Sequence, residues 1–516
     1  MAQEKYILAV DQSTSGTKVK IINNKGEILT KKSLEHQQYY PNPGWSEHDP
    51  IEIYSNVRDL LDEMIKTSTV DVSNIEVLSI TNQRETIVVW DKETGLPVYN
   101  AIVWQCRRTA DLCKELKNKG LEKVVKHKTG LTLDPYFSAT KVKWILDNVD
   151  GAREKAQNGQ LLLGTIDSWL VWKLTNGKVH ATDYTNASRT MLYNIYNLSW
   201  DDELLDIFTI PQSMLPEVKF SDEIFGIVSN LANLHLPISG IIGDSHGALV
   251  GQMCYEKGMV KSTFGTGSSL MMNTGKKAIK SGKGLMTTIA YAYDGTINYA
   301  LEGIVHSTGD TLKWIKDNLG LFNSFEEAEK MATSIESNDG VYIIPSFSGL
   351  GAPYWNPYSK AAIMGMSRRV NKNHIVRAGM ESIVYQIRDV IELMNQESGI
   401  ELKELRVDGG PTTNKFLMQF QADILGINVV KTNVPELSSM GAAYLAGLGK
   451  GLWNNIEEIK KLDYSKYFFC CEMNPSDSTK YYQEWKSTIA LMIGGDQIKT
   501  EKDSTLLNEE NIKVVQ

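Results

Sequence analysis

Ile7-Leu8-Ala9-Val10-Asp11-Gln12-Ser13-Thr14-Ser15-Gly16-Thr17-Lys18-Val19-Lys20-Ile21-Ile22 reads as strand, tight turn, strand. The turn carries a carboxylate at the strand end, the hydroxyls of Ser13, Thr14, Ser15 and Thr17, a glycine and a lysine. A carboxylate so placed can hold Mg²⁺, usually through water, while backbone N–H groups, hydroxyls and an ammonium donate hydrogen bonds to phosphate oxygens. Asp11 is therefore the candidate metal carboxylate, and Thr14, Ser15, Gly16 and Lys18 are candidate contacts to a nucleotide triphosphate. A solvated turn would favour the same Ser, Thr and Gly residues. The spacing of a Walker loop, G-x-x-x-x-G-K-[ST], is absent from this stretch.

The same theme returns in the second half of the chain. Ser262-Thr263-Phe264-Gly265-Thr266-Gly267-Ser268-Ser269 is again small and hydroxyl-rich, and it leads into the apolar run Leu270 to Met272. Two such hairpins, each near the start of one half, predict a duplicated fold with a cleft between the halves. Residues 251–258 serve as the linker, which places one domain at 1–251, a second at 252–493 and a polar tail at 494–516. Apolar runs at Val77–Ile80, Ile87–Trp90, Leu161–Leu163, Ile238–Ile242, Val341–Ile344 and Leu405–Val407 alternate with helix-period segments, which favours an α/β protein. A strong amphipathic helix is expected from about His374 to Met394, and another follows Asn414.

With 516 residues the chain is too long for one core. Its 42% hydrophobic and 22% charged residues are ordinary for a soluble protein. A net charge of -8 without a basic cluster argues against nucleic acid. There is no apolar run long enough to span a bilayer and no signal-peptide pattern. The five cysteines show no paired metal spacing, and a reducing cytoplasm is the expected compartment.

Several other segments carry possible chemistry. Ile238 to Asp244 is a strand that delivers Asp244 beside a glycine. Asp244 could act as general base toward a substrate hydroxyl, or simply cap the helix that follows. Gly243-Asp244-Ser245-His246-Gly247 also matches the nucleophile elbow of serine hydrolases, with Ser245 in the nucleophile position. The downstream histidines and oxyanion motif of that class are a poor match, so a hydrolase is the reading from another class. Arg84-Glu85, with Tyr136 further along, suits a polyol whose hydroxyls pair with the charges and whose carbon edge packs on a ring, although a structural ion pair would look the same. Leu405 to Asn414 is strand, Gly409-Gly410 turn and helix start, which would let a backbone approach an adenosine closely.

Taken together these residues resemble the FGGY carbohydrate kinases, and among them the branch that acts on glycerol. The resemblance runs from Tyr6 to about Trp453, and is most specific over Pro43–His48, Thr81–Trp90, Tyr99–Arg108, Asp134–Asn148, Asp183–Leu192, Ser348–Tyr354 and Phe416–Gly426. It implies two actin-like ATPase (ribonuclease H-like) α/β domains around a cleft, and transfer of the ATP γ-phosphoryl group to a terminal hydroxyl of glycerol with Mg²⁺. By the same resemblance Asp244 is the base and Asp11 the metal carboxylate. Arg84, Glu85, Trp104, Tyr136 and Ser245 face the polyol, and Thr14, Lys18, Thr266, Gly309, Lys313, Gly410 and Asn414 face the nucleotide. A homodimer or homotetramer is expected. Actin-like folds also include regulatory and structural ATPases, but a scaffold has no need of an acceptor site.

The family pattern is broken at several positions. Ser13 stands for a usual Gly, Gly16-Thr17-Lys18 for Ser-Ser-Arg, and Lys313 for Gln. Lys18 keeps the charge of the arginine but not its planar fork. Ser245-His246 stands for Gln-Gln, and Ser269 for a Phe against the acceptor carbons. The last two changes suggest a wider, wetter pocket that would take a longer polyol or a keto-sugar; the alternative is a glycerol pocket whose back wall is refilled by His246 or water. The family's regulatory phospho-histidine is not expected at His235, whose surroundings do not match.

Overall fold

The computed structural model describes residues 4–229, 231, 235–347, 349–356, 358–434, 436–462 and 466–493. The expected tail at 494–516 lies outside the described residues.

Each half is built on one mixed sheet, and the two sheets repeat the same plan. In the first half, β1 (Tyr6–Gln12), β2 (Gly16–Asn23) and β3 (Ile28–Glu35) form an antiparallel meander. On its other edge β1 pairs in parallel with β4 (Ile75–Asn82), and β4 pairs in parallel with β5 (Pro237–Gly243). In the second half, β6 (Met259–Phe264) and β7 (Ser268–Gly275) form a hairpin, and β7 pairs with β9 (Thr296–Val305), which pairs in turn with β8 (Met286–Tyr293). On its other edge β6 pairs in parallel with β10 (Glu404–Gly409), and β10 with β11 (Val429–Thr432). In both halves the first two strands form a hairpin, a third antiparallel strand (β3 or β9) flanks the second strand, and two parallel strands follow beyond the first. The two glycine- and hydroxyl-rich turns occupy equivalent places, and the second half adds β8 outside β9. The duplicated, two-domain α/β fold expected from the sequence is the one observed.

The strand ends matter because they deliver the chemistry. Strand β5 runs directly into α1 (Asp244–Gly251), so Asp244 stands at a strand-to-helix junction. The β7–β9 pair leads to α2 (Gly309–Asp317), and the long helix α3 (Lys372–Ser398) covers the second sheet. Helix α4 (Lys415–Leu425) starts just after the Gly409-Gly410 turn. The expected helix from His374 to Met394 is therefore found, extended at both ends.

Helix α5 (Leu437–Gly449) follows β11 in the chain yet packs on the first half. It lies against α1 and across β5, β4 and β1. Small residues allow this approach. A Cβ on Gly441 would meet the Gly247 carbonyl oxygen at 1.9 Å, and a Cβ on Gly240, itself at φ +70°, would meet the Ala442 carbonyl oxygen at 2.2 Å. An apolar cluster containing Ile7, Ala9 and Ile242 from the first sheet and Met271, Ala300 and Met440 from the second half fills the seam. The two halves therefore share part of their core.

Close backbone contact of this kind leaves no room for a methyl group. Gly441→Ala should lower stability by up to about 3 kcal/mol, the cost of overpacking a tight site. A urea unfolding curve with an unchanged midpoint for that variant would show that the helix pair can separate at little cost.

Candidate active site

Where β5 meets α1, Asp244 is gripped from one side. Arg84 Nε lies 3.1 Å from Asp244 Oδ1, and the Ser245 backbone N–H donates to the same oxygen at 2.6 Å. Both protein contacts fall on Oδ1, which leaves Oδ2 without a partner among the described residues. About two-fifths of the side chain remains open to solvent. Its surroundings raise the Asp244 carboxyl above the usual range through burial, against the pull of Arg84.

Arg84 itself is buried and reaches into the other half. Its Nη1 and Nη2 both donate to Glu302 Oε1, each at 3.1 Å, and Glu302 comes from β9. Arg189 closes the ring: its Nε donates to Glu85 Oε1 at 2.6 Å, and its Nη1 lies 2.6 Å from Glu302 Oε2. Burial alone would raise Glu302, but Arg189 and Arg84 overrule it and hold its carboxyl at about 2. Glu85 is pushed up by burial, opposed by Arg84 and Arg189. Buried charges of this density persist because each is matched.

The aromatic residues and the first hairpin are connected. Trp104 Nε1 donates to Thr14 Oγ1 at 3.0 Å, and the Trp104 and Tyr136 rings sit 5.3 Å apart. Tyr136 is close enough to feel Arg84 and Glu85, and burial raises its phenol. The structure therefore brings Arg84, Glu85, Trp104, Tyr136 and Asp244 to one region beside the first turn. Ser245 is different. Its Oγ accepts from Lys261 Nζ at 3.3 Å, and among the described residues no histidine hydrogen-bonds it. The arrangement is not that of a serine hydrolase.

The residues that depart from the family pattern are also placed. His246 is buried; its Nε2 contacts Thr288 Oγ1 at 3.2 Å, and burial together with nearby Arg84 keeps its ring neutral. Ser269 Oγ is buried without a hydrogen-bond partner among the described residues. His235 is exposed.

On the nucleotide side the expected residues divide into two groups. Asp11 is nearly buried at the end of β1. Thr14 and Ser15 stand in the turn, whose Ser13 N–H donates to the Gly16 carbonyl at 2.9 Å. Thr266 is exposed, and its carbonyl accepts from the Thr308 and Asp310 N–H groups at 2.9 and 3.1 Å, tying the second hairpin to α2. Gly309 packs on the Gly265 carbonyl, and Gly410 faces open space. Lys313 is exposed on α2. The remaining three have evident structural duties. Gly16 packs against the Leu34 carbonyl, where a Cβ would come within 2.6 Å. Asn414 caps α4, accepting from the Leu417 N–H at 2.8 Å. Lys18 Nζ pairs with Glu436 Oε2 at 3.0 Å.

Four charged residues of this region were not singled out from sequence: Lys20, Arg189, Lys261 and Glu302. Lys261, fully buried, also donates to Thr263 Oγ1 at 2.9 Å, and that hydroxyl donates to Asp408 Oδ1 at 2.8 Å. The available signal was a charged residue in the interior of a strand beside an apolar neighbour, Val19 and Ile21 at Lys20, Val260 at Lys261 and Leu301 at Glu302.

Family models of the N-terminal and C-terminal domains of FGGY carbohydrate kinases match residues 6–251 and 260–449. The chain belongs to the FGGY family of carbohydrate kinases. Its relatives include the glycerol kinases of Shigella dysenteriae serotype 1 and of Escherichia coli O81, each 50% identical over 491 residues, covering 95% of this chain and 98% of theirs. The structure of Plasmodium falciparum glycerol kinase with ADP superposes with a TM-score of 0.91 at 38% identity, covering 95% of this chain and 98% of that one. Xylulose kinase from Lactobacillus acidophilus, at 20% identity and a TM-score of 0.85, shares the fold. This FGGY kinase thus has the actin-like two-domain architecture, and its charged ring spans both matched domains.

Removing one carboxylate from that ring tests it. Glu302→Gln would leave Arg84 and Arg189 under-compensated in the interior, a loss of about 3–5 kcal/mol near neutral pH. Because the folded carboxyl is depressed, the contribution of Glu302 is present above its unfolded value and fades as pH falls toward about 2. Urea midpoints of the two proteins should therefore differ widely at pH 7 and converge in strong acid; equal midpoints at pH 7 would remove Glu302 from the framework.

Proposed function

We propose that this FGGY kinase transfers the γ-phosphoryl group of ATP to a terminal hydroxyl of glycerol, giving sn-glycerol 3-phosphate and ADP. The observation that carries the reading is the Asp244 carboxylate, fixed through one oxygen by Arg84 and open at the other, beside Glu85, Trp104 and Tyr136. The half-identical glycerol kinases name the acceptor.

In this reading Asp244 Oδ2 takes the proton of the acceptor hydroxyl as the new O–P bond forms and the bridging bond to the β-phosphate breaks. Arg84 orients the base and, with Glu85, binds the polyol hydroxyls; Trp104 and Tyr136 pack its carbons. Ser245 lines the same wall, held by Lys261. The turns around Thr14, Ser15, Gly16 and Lys18 and around Thr266 receive the phosphates. Gly309, Lys313, Gly410 and Asn414 border the nucleoside. Residues 1–251 and 252–493 act as the two working domains.

Magnesium fits this site. Among the described residues no group of three or more potential ligands could hold a metal outright. Mg²⁺ is commonly held by one or two carboxylates together with substrate phosphates. Asp11 and Asp244 supply hard oxygens, and the charge of Asp11 is among the influences that raise Asp244. When bound, the ion would neutralise the phosphate oxygens; Asp11, with Asp244 beside it, would hold it.

No helix among the described residues is long and apolar enough to cross a membrane. All five cysteines are free thiols. We place the enzyme in the cytoplasm, as a homodimer or homotetramer.

Asp244→Asn should cut kcat by at least about 100-fold while ADP still binds; near-normal turnover would show that another group takes the proton. The raised Asp244 carboxyl sets the sign of the pH response, because the base must be ionised: kcat/KM should fall on the acid side, through a pKa above the usual aspartate value. In a panel of polyols and keto-sugars assayed with ATP, glycerol should give the highest kcat/KM by a wide margin. A longer acceptor in first place would mean that Ser245, His246 and Ser269 have opened the pocket.

A further inference from the structure

Lys20 is a fully buried lysine in the middle of β2. The register of β1 and β2 sets Lys20 opposite Ala9 and Lys18 opposite Asp11, so Asp11, Lys18 and Lys20 share one face of the sheet. Helix α5, reached more than four hundred residues later, covers that face. Three oxygens surround the Lys20 ammonium: Ser439 Oγ at 2.7 Å, Asp11 Oδ2 at 3.2 Å and Glu436 Oε2 at 3.4 Å.

The three partners differ in what they need. Ser439 is neutral. Glu436 already has Lys18 at 3.0 Å and Lys31 in direct contact, so its charge is met without Lys20. Asp11 has no other cation within 4 Å among the described residues. An ammonium is a point charge with three donors, suited to three single oxygens that approach from different sides. The buried charge of Lys20 therefore serves Asp11, and Ser439 at the start of α5 anchors it.

We propose that Lys20 is a positioning residue acting through Asp11, a built-in counter-charge that fixes one carboxylate oxygen and neutralises Asp11 when nucleotide is present without metal. The proposal rests on the reading of Asp11 as a carboxylate at the nucleotide phosphates. Without Lys20, a metal-free polyphosphate would meet an uncompensated aspartate. With magnesium present, that aspartate would be balanced by the ion. Lys20 should therefore matter for binding mainly when magnesium is absent.

The test is calorimetric titration of ADP into the full-length protein, in excess EDTA and in excess magnesium, for wild type, Lys20→Gln and Lys20→Arg. Gln keeps a donor and drops the charge; Arg keeps the charge. The expected result for Lys20→Gln is a Kd about tenfold weaker in EDTA and within about twofold of wild type in magnesium. Lys20→Arg should return the ratio of the two Kd values to the wild-type level. A purely structural lysine would shift both Kd values together and leave the ratio unchanged, and that outcome overturns the proposal. If Lys20→Gln fails to fold, Ser439→Ala replaces it, keeping every charge and removing only the anchor; it should raise the ratio about threefold, and a wild-type ratio there overturns the proposal equally. Wild-type protein that binds no ADP under either condition would refute the kinase reading itself, and the proposal with it.

Discussion

One guanidinium joins the two halves of this molecule at its chemical centre. Arg84 uses Nε on Asp244 and both terminal nitrogens on Glu302, one carboxylate from each half. Only a planar fork with donors in fixed directions can serve two such partners together. Burial sharpens the consequence, because a charge in low-polarity surroundings is costly to leave unmatched. The orientation of the candidate base therefore depends on a residue from the opposite domain. Arg189 completes the ring and brings Glu85 into the same electrostatic unit as Glu302 and Arg84.

The backbone supports the same coupling. Helix α5 crosses from the second half to lie on the first sheet, with glycines where it meets α1 and β5. That contact brings Glu436 and Ser439 to the face of β2 that carries Lys18 and Lys20. Asp11 and Asp244 are thus each held by a cation that also touches the second half, Lys20 in one case and Arg84 in the other. Both carboxylates expected at the reacting phosphate are set by the relation between the domains rather than by either domain alone.

Much of the fold was legible in the sequence because its cues are local. The two hydroxyl-rich turns, the apolar strand runs and the 3.6-residue period of α3 each lie within about twenty residues, and each falls where it was expected. Asp11, Arg84, Glu85 and Asp244 were visible for a similar reason, as charged groups at the ends of apolar strands. Lys20, Lys261 and Glu302 were not. Each sits inside a strand, and its role depends on a partner far away in the chain: Lys20 on Ser439, Lys261 through Thr263 on Asp408, Glu302 on Arg84 and Arg189. Asn414 and Gly16 show the reverse situation, where a residue expected at the nucleotide also has a sufficient structural duty, as a helix cap and as a close contact to Leu34.

The central claim is that this constellation moves a phosphoryl group from ATP to a glycerol hydroxyl. The most direct measurement follows ³¹P resonances while the full-length protein is incubated with ATP, magnesium and glycerol. The account predicts that the γ-phosphate signal is replaced, one for one with ADP formation, by the phosphomonoester signal of glycerol 3-phosphate. Conversion of ATP to ADP and inorganic phosphate, with no phosphoester formed, would contradict it.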